Sequence, residues 1–137
     1  MNKFLLVGLL ALGGCATQVP GPAFSGSVVA VVSAKSYDPR RNVASDVTSN
    51  FSPTDRQIVV GVTLEGYPAG ARCEFVRYLN GKYLDHGSVS VKHPASNTVF
   101  FTWTLTKPGL SHLPGPYRVK VFVNGRYARE LTYFVGP

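Results

Sequence analysis

The feature that most constrains the fold of this chain is an alternation of apolar and polar residues with a period of two. It is clearest in residues 117–123, where the odd positions are apolar and the even positions include Arg118 and Lys120. Successive side chains of a β-strand point to opposite faces, so this pattern indicates strands with one buried face. Ten prolines and fourteen glycines leave no stretch with the period of an amphipathic helix. An all-β fold is therefore predicted.

Seven segments combine this alternation with the β-branched and aromatic residues that strands favour. The predicted strands are residues 27–36, 57–64, 72–79, 83–91, 97–106, 117–123 and 127–135. A shorter piece near residues 43–48 is a further candidate. Short strands separated by frequent turn residues are typical of an antiparallel sandwich. No alternation of helix with strand is present, which argues against a parallel α/β sheet.

Two tight hairpins are marked by asparagine followed by glycine, at Asn80-Gly81 and Asn124-Gly125. These two residue types adopt the positive φ angles that short hairpin turns require. The second hairpin is the better defined, because one of its predicted strands alternates strictly.

The register of this second hairpin can be predicted from the need to keep Glu130 out of the core. A strict two-residue turn would place Glu130 opposite Val119 inside the core, which is costly for an unpaired carboxylate. We therefore expect a three-residue loop over residues 124–126 with a bulge. That register pairs Val119 with Leu131 inside and Lys120 with Glu130 outside.

Several segments between residues 51 and 135 together resemble a known architecture. They are Phe51-Ser52-Pro53-Thr54-Asp55, Ile58-Val59-Val60-Gly61-Val62, Leu113-Pro114-Gly115-Pro116-Tyr117-Arg118-Val119, Asn124-Gly125 and Tyr133-Phe134-Val135. They resemble bacterial immunoglobulin-like (Ig-like) domains, which often end with a Pro-Gly-x-Tyr strand, an Asn-Gly hairpin and an aromatic-x-Val terminus. The resemblance implies a single antiparallel Ig-like β-sandwich of about seven strands over residues 26–137. This fold carries many unrelated functions, so the resemblance implies architecture rather than activity.

The N-terminal residues follow a different pattern. A basic start with Lys3 precedes nine apolar or small residues, 4–12, and two glycines before Cys15. This order describes a secretory signal peptide, and the apolar stretch is well short of the ~20 residues that span a bilayer. Leu12-Gly13-Gly14-Cys15 resembles the lipobox of bacterial lipoproteins. The resemblance implies cleavage before Cys15 and attachment of fatty acyl chains, palmitate among them, to its thiol and amine.

The N-terminal pattern also divides the chain and gives it an expected location. Residues 1–14 are predicted to be a cleaved signal peptide and residues 15–25 a lipidated N-terminus with a short tether. Ten tether residues reach at most about 35 Å when extended, so the domain should lie close to the membrane. Ala16, rather than Asp, follows the cysteine. By resemblance this implies the outer membrane of the bacterial cell envelope, on its periplasmic face or at the surface.

Only one cysteine remains if Cys15 is lipidated. Cys73 then has no partner within the chain, so no intrachain disulfide is expected. Its position in a predicted strand, in phase with Phe75, favours a small buried residue. A reactive or intermolecular thiol is the alternative.

The charge of the chain is one-sided. Fourteen lysines and arginines stand against seven acidic residues, a net charge of +7. Such an excess favours contact with anionic surfaces such as phospholipid, lipopolysaccharide, acidic glycan or nucleic acid. Export from the cell argues against nucleic acid as the partner. Near the tether, Asp38-Pro39-Arg40-Arg41 forms a basic spot that suits anionic headgroups, unless it is merely a solvated loop.

Cations and aromatic side chains are expected to share one face of the sandwich. If strands 72–79 and 117–123 are neighbours in one sheet, their outward positions are adjacent. The expected binding face consists of Arg72, Tyr78, Arg118, Lys120 and Phe122. Cations beside aromatic rings suit sugars and anionic polymers. The alternative is a solvated face whose long side chains cover apolar surface.

Residues that would carry catalysis or bind a metal are scattered. His86, His93 and His112 each lie in or beside a predicted turn, where we expect them to be exposed, and no two have metal-ligand spacing. The acidic residues stand singly, without the paired carboxylates of glycosidases. The motifs of serine hydrolases, phosphate-binding loops and calcium loops are missing from the sequence. We therefore predict no catalytic residues, no cofactor and no metal site.

Three functions are compatible with these features. The first is a membrane-anchored envelope lipoprotein that acts as a non-enzymatic binding or assembly module. Its partner would be an envelope protein or an anionic glycan or lipid, held at the outward face or along an edge strand. The second is a small envelope enzyme or enzyme inhibitor that uses loop residues such as Asp85, His86 or His112. The third is a purely structural lipoprotein. The oligomeric state is left open.

Overall fold

The described part of the chain consists of β-strands joined by turns and loops. The computed structural model describes residues 26–92 and 97–137, which contain no helix. The strands are β1 (Ser27–Asp38), β2 (Val43–Val47), β3 (Asn50–Phe51), β4 (Gln57–Glu65), β5 (Arg72–Leu79), β6 (Lys82–Ser90), β7 (Asn97–Thr104), β8 (Gly115–Val123) and β9 (Arg126–Val135). Within these residues no helix is long and apolar enough to cross a membrane. The predicted signal peptide, Cys15 and the tether up to residue 25 lie outside the described residues.

The strands form two sheets around one core. One sheet has five strands in the order β3-β9-β8-β5-β6, and the other has four in the order β2-β1-β4-β7. Neighbouring strands are antiparallel except for β3 and β9, which pair in parallel. The predicted all-β sandwich is confirmed, with nine strands in the described residues rather than about seven. The additional strands are β2, which the sequence suggested, and β3, whose two residues are too few to show an alternation.

The core is built from the inward positions of both sheets. Ile58, Val60 and Val62 of β4 face Phe75 of β5 and Val121 of β8, and the exposed fraction of each is 0%. These positions are two residues apart within each strand, as the alternation requires. Burying each such side chain contributes about 1.5–3 kcal/mol relative to leaving it exposed. This apolar core is the main source of stability for the sandwich.

Cys73 belongs to this core. Its exposed fraction is 0%, and burial raises the pKa of its thiol to about 11. Because the thiolate is the nucleophilic form, the thiol of the folded protein is unreactive near neutral pH. The expectation that Cys73 is a small buried residue is confirmed.

Both predicted hairpin turns are present, and both are two-residue turns. Asn80 and Gly81 have φ angles of 52° and 80°, and Asn124 and Gly125 have φ angles of 51° and 80°. Positive φ at both central residues is the geometry of the type I′ turn, whose twist matches that of the flanking strands.

The register of the second hairpin is the predicted one, but its cause is different. Val119 pairs with Leu131, and Lys120 pairs with Glu130. The predicted three-residue loop is wrong, because β8 and β9 flank a two-residue turn. The extra residue is instead Ala128 inside β9, where the ladder shifts by one. A bulge at this point keeps the glutamate out of the core as effectively as a longer loop would.

The β1–β2 hairpin folds across the outer face of the four-stranded sheet. The ring of Tyr37 stacks on Phe100 of β7 with centroids 4.4 Å apart. Near the tip of the hairpin, the side-chain amide of Asn42 donates to the carbonyl of Thr98, also on β7, at 2.9 Å. Val59 of the intervening strand β4 occupies an outward position, yet its exposed fraction is 0%. The hairpin therefore covers much of this outer face, whereas the outer face of the five-stranded sheet has no such cover among the described residues.

Candidate functional site

The outer face of the five-stranded sheet carries the side chains that the sequence suggested for binding. Strand β5 pairs with β8, and β8 pairs with β9, so the three strands form one continuous surface. The five predicted residues occupy outward positions of this surface: Arg72, Tyr78, Arg118, Lys120 and Phe122. Arg72 and Arg118 are exposed and the other three are half-buried. Their position is thus as expected, while their role in binding stays a prediction.

Three of the five residues meet at one shallow depression of about 340 Å³. Its lining consists of Tyr78, Asn80, Gly81, Pro116, Tyr117, Arg118, Lys120 and Thr132. Arg72 and Phe122 lie further along the face and do not line it. The volume is at the lower end of the range for small-ligand sites, about 300–1,000 Å³. We refer to it as the Tyr78 depression.

Cationic and aromatic groups are in contact within the Tyr78 depression. The Nζ atom of Lys120 lies 5.1 Å from the centroid of the Tyr78 ring, within range of a cation–π interaction. Tyr78 stands directly opposite Arg118 in the β5–β8 ladder. Nε of Arg118 is 3.5 Å from a carboxylate oxygen of Glu130. Both partners are substantially exposed, so this ion pair contributes little, about 0–1 kcal/mol, and an incoming anion can compete for the guanidinium.

Beneath this face lies a buried arginine, Arg77, which is not among the residues predicted for binding. Nε and Nη2 of Arg77 donate to the two carboxylate oxygens of Asp85 at 2.8 and 2.7 Å, and Nη1 donates to the hydroxyl of Tyr133 at 3.0 Å. Burial disfavours the charge, but the hydrogen bonds to Asp85 and Tyr133 outweigh it and raise the pKa of Arg77. The guanidinium is therefore charged, and each of its three nitrogens donates a hydrogen bond. A forked pair of this kind is strong and fixes both side chains.

Aromatic rings enclose the Arg77 guanidinium. Its Cζ atom lies 4.3 Å from the ring centroid of Trp103 and 5.3 Å from that of Tyr117. Tyr117 stacks on Tyr133 with centroids 4.7 Å apart. Burial raises the pKa of Tyr133 to about 12, which keeps its hydroxyl neutral. Because the polar groups of Arg77, Asp85 and Tyr133 form hydrogen bonds with one another, we assign this cluster a structural role.

The three histidines do not converge. His86 is exposed, and its Nδ1 atom is 2.7 Å from the hydroxyl of Tyr83. His93 lies outside the described residues. His112 is buried, with an exposed fraction of 8%, so the expectation that it is exposed is wrong. In the described part of the chain, no three or more histidine, cysteine, aspartate or glutamate side chains are grouped as metal ligands would be.

His112 is buried because its loop folds back on the segment before β4. Its backbone N–H donates to the carbonyl of Pro53 at 2.9 Å, and its Nε2 atom lies 2.9 Å from the carbonyl oxygen of Asp55. A carbonyl only accepts, so Nε2 carries the proton. Burial lowers the pKa of His112, the hydrogen bond to Asp55 partly offsets this, and the charge of Arg77 lowers it further.

A pH-dependent contribution to stability follows from the lowered pKa of His112. The unfolded chain takes up its proton at a higher pH than the folded chain does. The contribution of His112 to the free energy of unfolding is therefore complete above 6.5, the ordinary pKa of histidine. It declines as the pH falls from 6.5 towards the lowered pKa of the folded state. We expect the stability difference between the native protein and His112→Gln to shrink over this interval, measured by urea unfolding. A difference that is constant from pH 8 to pH 5 would contradict the assignment.

Comparison with solved structures supports the architecture. An immunoglobulin-like protein from Pseudomonas aeruginosa superposes with a TM-score of 0.54 at 15% identity, over 84% of this chain and 99% of that one. An alkylpurine DNA glycosylase from Pseudomonas fluorescens, bound to DNA with an abasic site analogue, gives a TM-score of 0.51 at 15% identity. That match covers 82% of this chain but only 30% of the glycosylase. Neither a family model nor a curated protein matches the sequence.

Identities this low establish the fold and leave activity open. One local detail agrees with the superposition: the hydroxyl of Tyr117, near the start of β8, donates to the carbonyl of Leu113 at 2.6 Å. A tyrosine that bonds back to the backbone a few residues upstream is the tyrosine corner of Ig-type sandwiches. The chain is an all-β sandwich with the immunoglobulin-like fold.

Proposed function

We propose that this chain is a lipid-anchored, non-enzymatic binding module of the bacterial envelope, which holds an anionic partner at the Tyr78 depression. The observation that carries the proposal is the conjunction of Arg118, Lys120 and the Tyr78 ring around one concave site. Cations attract an anionic group, and the ring offers an apolar surface on which a sugar or side chain can stack. The anchor is the predicted lipid on Cys15, which would place the module at the outer membrane.

The partners of the loop residues support a non-enzymatic role. Both carboxylate oxygens of Asp85 accept hydrogen bonds from Arg77. The neighbouring His86 is bonded to Tyr83 instead. His112 is buried against a backbone carbonyl. None of these three candidates is therefore poised beside another to move a proton to or from a bound substrate.

Charge reversal tests the Tyr78 depression. We expect the lipidated variant Arg118→Glu/Lys120→Glu to lose at least about ten-fold in capture of its envelope partner, since two attractive charges become repulsive. The measurement is crosslinking in intact cells, followed by purification of the chain and quantitative mass spectrometry of the attached species. A captured protein would identify a protein partner, and a captured glycan an anionic polymer.

The matched control is Arg56→Glu/Lys107→Glu. Both residues are exposed and lie in a different depression, beside β4 and β7, so the change in net charge is the same. We expect capture to be unaffected in this variant. Equal capture by both variants and the native chain would overturn the Tyr78 depression as the site and leave edge-strand pairing as the mode of binding.

A further inference from the structure

We propose that one end of the sandwich docks on the anionic phospholipid surface of the membrane. This end, called the proximal end, is where the described chain begins. Ser27 of β1 pairs with Glu65 of β4, and Arg72 of β5 pairs with Ser90 of β6. A depression of about 470 Å³ joins Gly26 to the turn between β8 and β9. The inference rests on the lipid anchor proposed above.

The proximal end is rich in exposed cations. They are Arg40, Arg41, Arg72, Lys92 and Arg126. Two of them come from distant parts of the sequence and are brought together by the β1–β2 hairpin. Because Asn42 ties that hairpin to Thr98, Arg40 lies beside Lys92, and both line a depression of about 560 Å³. The hairpin that covers the four-stranded sheet thus also carries a basic loop to this end.

Among the described residues, no carboxylate forms an ion pair with Arg40, Arg41, Arg72 or Lys92. Ion pairs within the described residues join Lys35 to Asp55, Arg77 to Asp85 and Arg118 to Glu130, and these three lie away from the proximal end. At the proximal end, Oδ1 of Asp38 accepts the backbone N–H groups of the hairpin loop at 2.9 and 3.3 Å and so shapes that loop. Glu65 also lies at this end, and Glu74 lies two residues from Arg72 on the same strand. The end therefore presents a net positive charge to solvent.

An anionic membrane is the occupant that fits this end. The ten residues between Cys15 and Gly26 reach at most about 35 Å, so a lipid on Cys15 would hold the proximal end near the headgroups. Charges act over a Debye length of about 8 Å at physiological salt, so the cations contribute only at close approach. The lipid would hold the domain near the membrane, and the cations would orient the proximal end towards it. The Tyr78 depression, beside the turn at Asn80-Gly81, lies towards the opposite end and would face away from the membrane.

Vesicle sedimentation tests the inference without the lipid anchor. The chain from residue 16 onward keeps all nine strands and the whole buried core, which runs from Val28 to Val135. We expect it to bind vesicles of phosphatidylcholine with about one third phosphatidylglycerol, and not phosphatidylcholine alone. Each cation near an anionic surface accounts for about five-fold in partitioning. Arg40→Gln/Lys92→Gln should therefore weaken binding more than about ten-fold.

The control variant is Arg56→Gln/Lys107→Gln, which removes the same charge from the other end of the sandwich. We expect less than about a two-fold change in its binding, and thermal unfolding of both variants close to that of the native chain. Equal binding to neutral and anionic vesicles, or equal losses in the two variants, would overturn the inference. Either failure leaves the capture experiment intact, because that experiment uses Arg118 and Lys120.

Discussion

Replacing Cys15 with serine is expected to abolish incorporation of labelled palmitate into the protein. Serine has no thiol to carry the acyl glycerol. The amine of residue 15 becomes free for acylation only when the chain is cleaved between residues 14 and 15. One acyl chain gives reversible membrane binding, with an association constant of about 10⁴ M⁻¹, whereas two or more chains hold a protein stably. The change should therefore remove the stable anchor. The measurements are palmitate labelling in growing bacteria and the intact mass of the purified chain.

Cys73→Ala is the matched control, because it removes the other cysteine of the chain. Its thiol is fully buried and its pKa is raised to about 11, so it is not available for acylation in the folded protein. Labelling should persist in this variant. Label that is lost from Cys73→Ala but retained by Cys15→Ser, or a native chain without label, would refute the lipobox prediction.

The strands were predictable because burial on one face imposes an alternation that can be read residue by residue. Strand β5 was predicted with the observed bounds, and β4 differs only by Glu65 at its end. Strand β3 could not be found in this way, because two residues define no period. It forms where Phe51 enters the core beside Val135, its parallel partner in β9, which is a contact between distant parts of the chain.

The binding face was predictable as a surface but not as a site. Alternation placed Tyr78, Arg118 and Lys120 on one side, and the pairing of β5 with β8 made them neighbours. The depression also depends on Asn80 at the turn and Pro116 at the start of β8. Those contributions depend on where strands end relative to one another, which a local pattern does not specify.

The buried arginine was missed although the local signal was present. Arg77 is in phase with Cys73 and Phe75, which places it on the inward side of β5. Asp85 follows across the Asn80-Gly81 turn and stands directly opposite it in the ladder. A charged residue at an inward position is expected to be paired. Its partner could not be predicted, because a regular two-residue turn would place Leu84 opposite Arg77, and a shift of the ladder brings Asp85 there instead. The aromatic rings around the guanidinium could not be predicted either, since Trp103 and Tyr117 come from β7 and β8.

The position of the β1–β2 hairpin across the sheet could not be predicted from local sequence patterns either. Its residues were predicted as two strands with a basic loop, which is correct for each piece. That the hairpin crosses β4 and touches β7 depends on the stacking of Tyr37 on Phe100. Gly61 permits this approach, because a Cβ atom there would lie 2.7 Å from the Phe100 ring. The consequence for function is the juxtaposition of Arg40 with Lys92 at the proximal end.

Asp85→Ala is expected to be among the most destabilising single changes outside the apolar core. It removes both carboxylate acceptors from Arg77, whose side chain is only 9% exposed, and leaves a buried charge bonded to Tyr133 alone. Removing one partner of a buried ion pair costs about 3–5 kcal/mol. The Asp85 side chain is 41% exposed, so water can replace part of the lost interaction and the lower figure applies. Urea unfolding at neutral pH should show a loss of about 3 kcal/mol.

Two further variants separate the buried charge from the contacts around it. Arg77→Met keeps most of the packing against Trp103 and leaves Asp85 free to hydrate, so it should cost less than Asp85→Ala even though Arg77 is the more buried residue. Glu130→Ala breaks the exposed pair with Arg118 on the same sheet and should cost no more than about 1 kcal/mol. If Arg77→Met proves as costly as Asp85→Ala, the stability of the cluster comes from the aromatic contacts and the Tyr133 hydrogen bond rather than from compensation of the buried guanidinium.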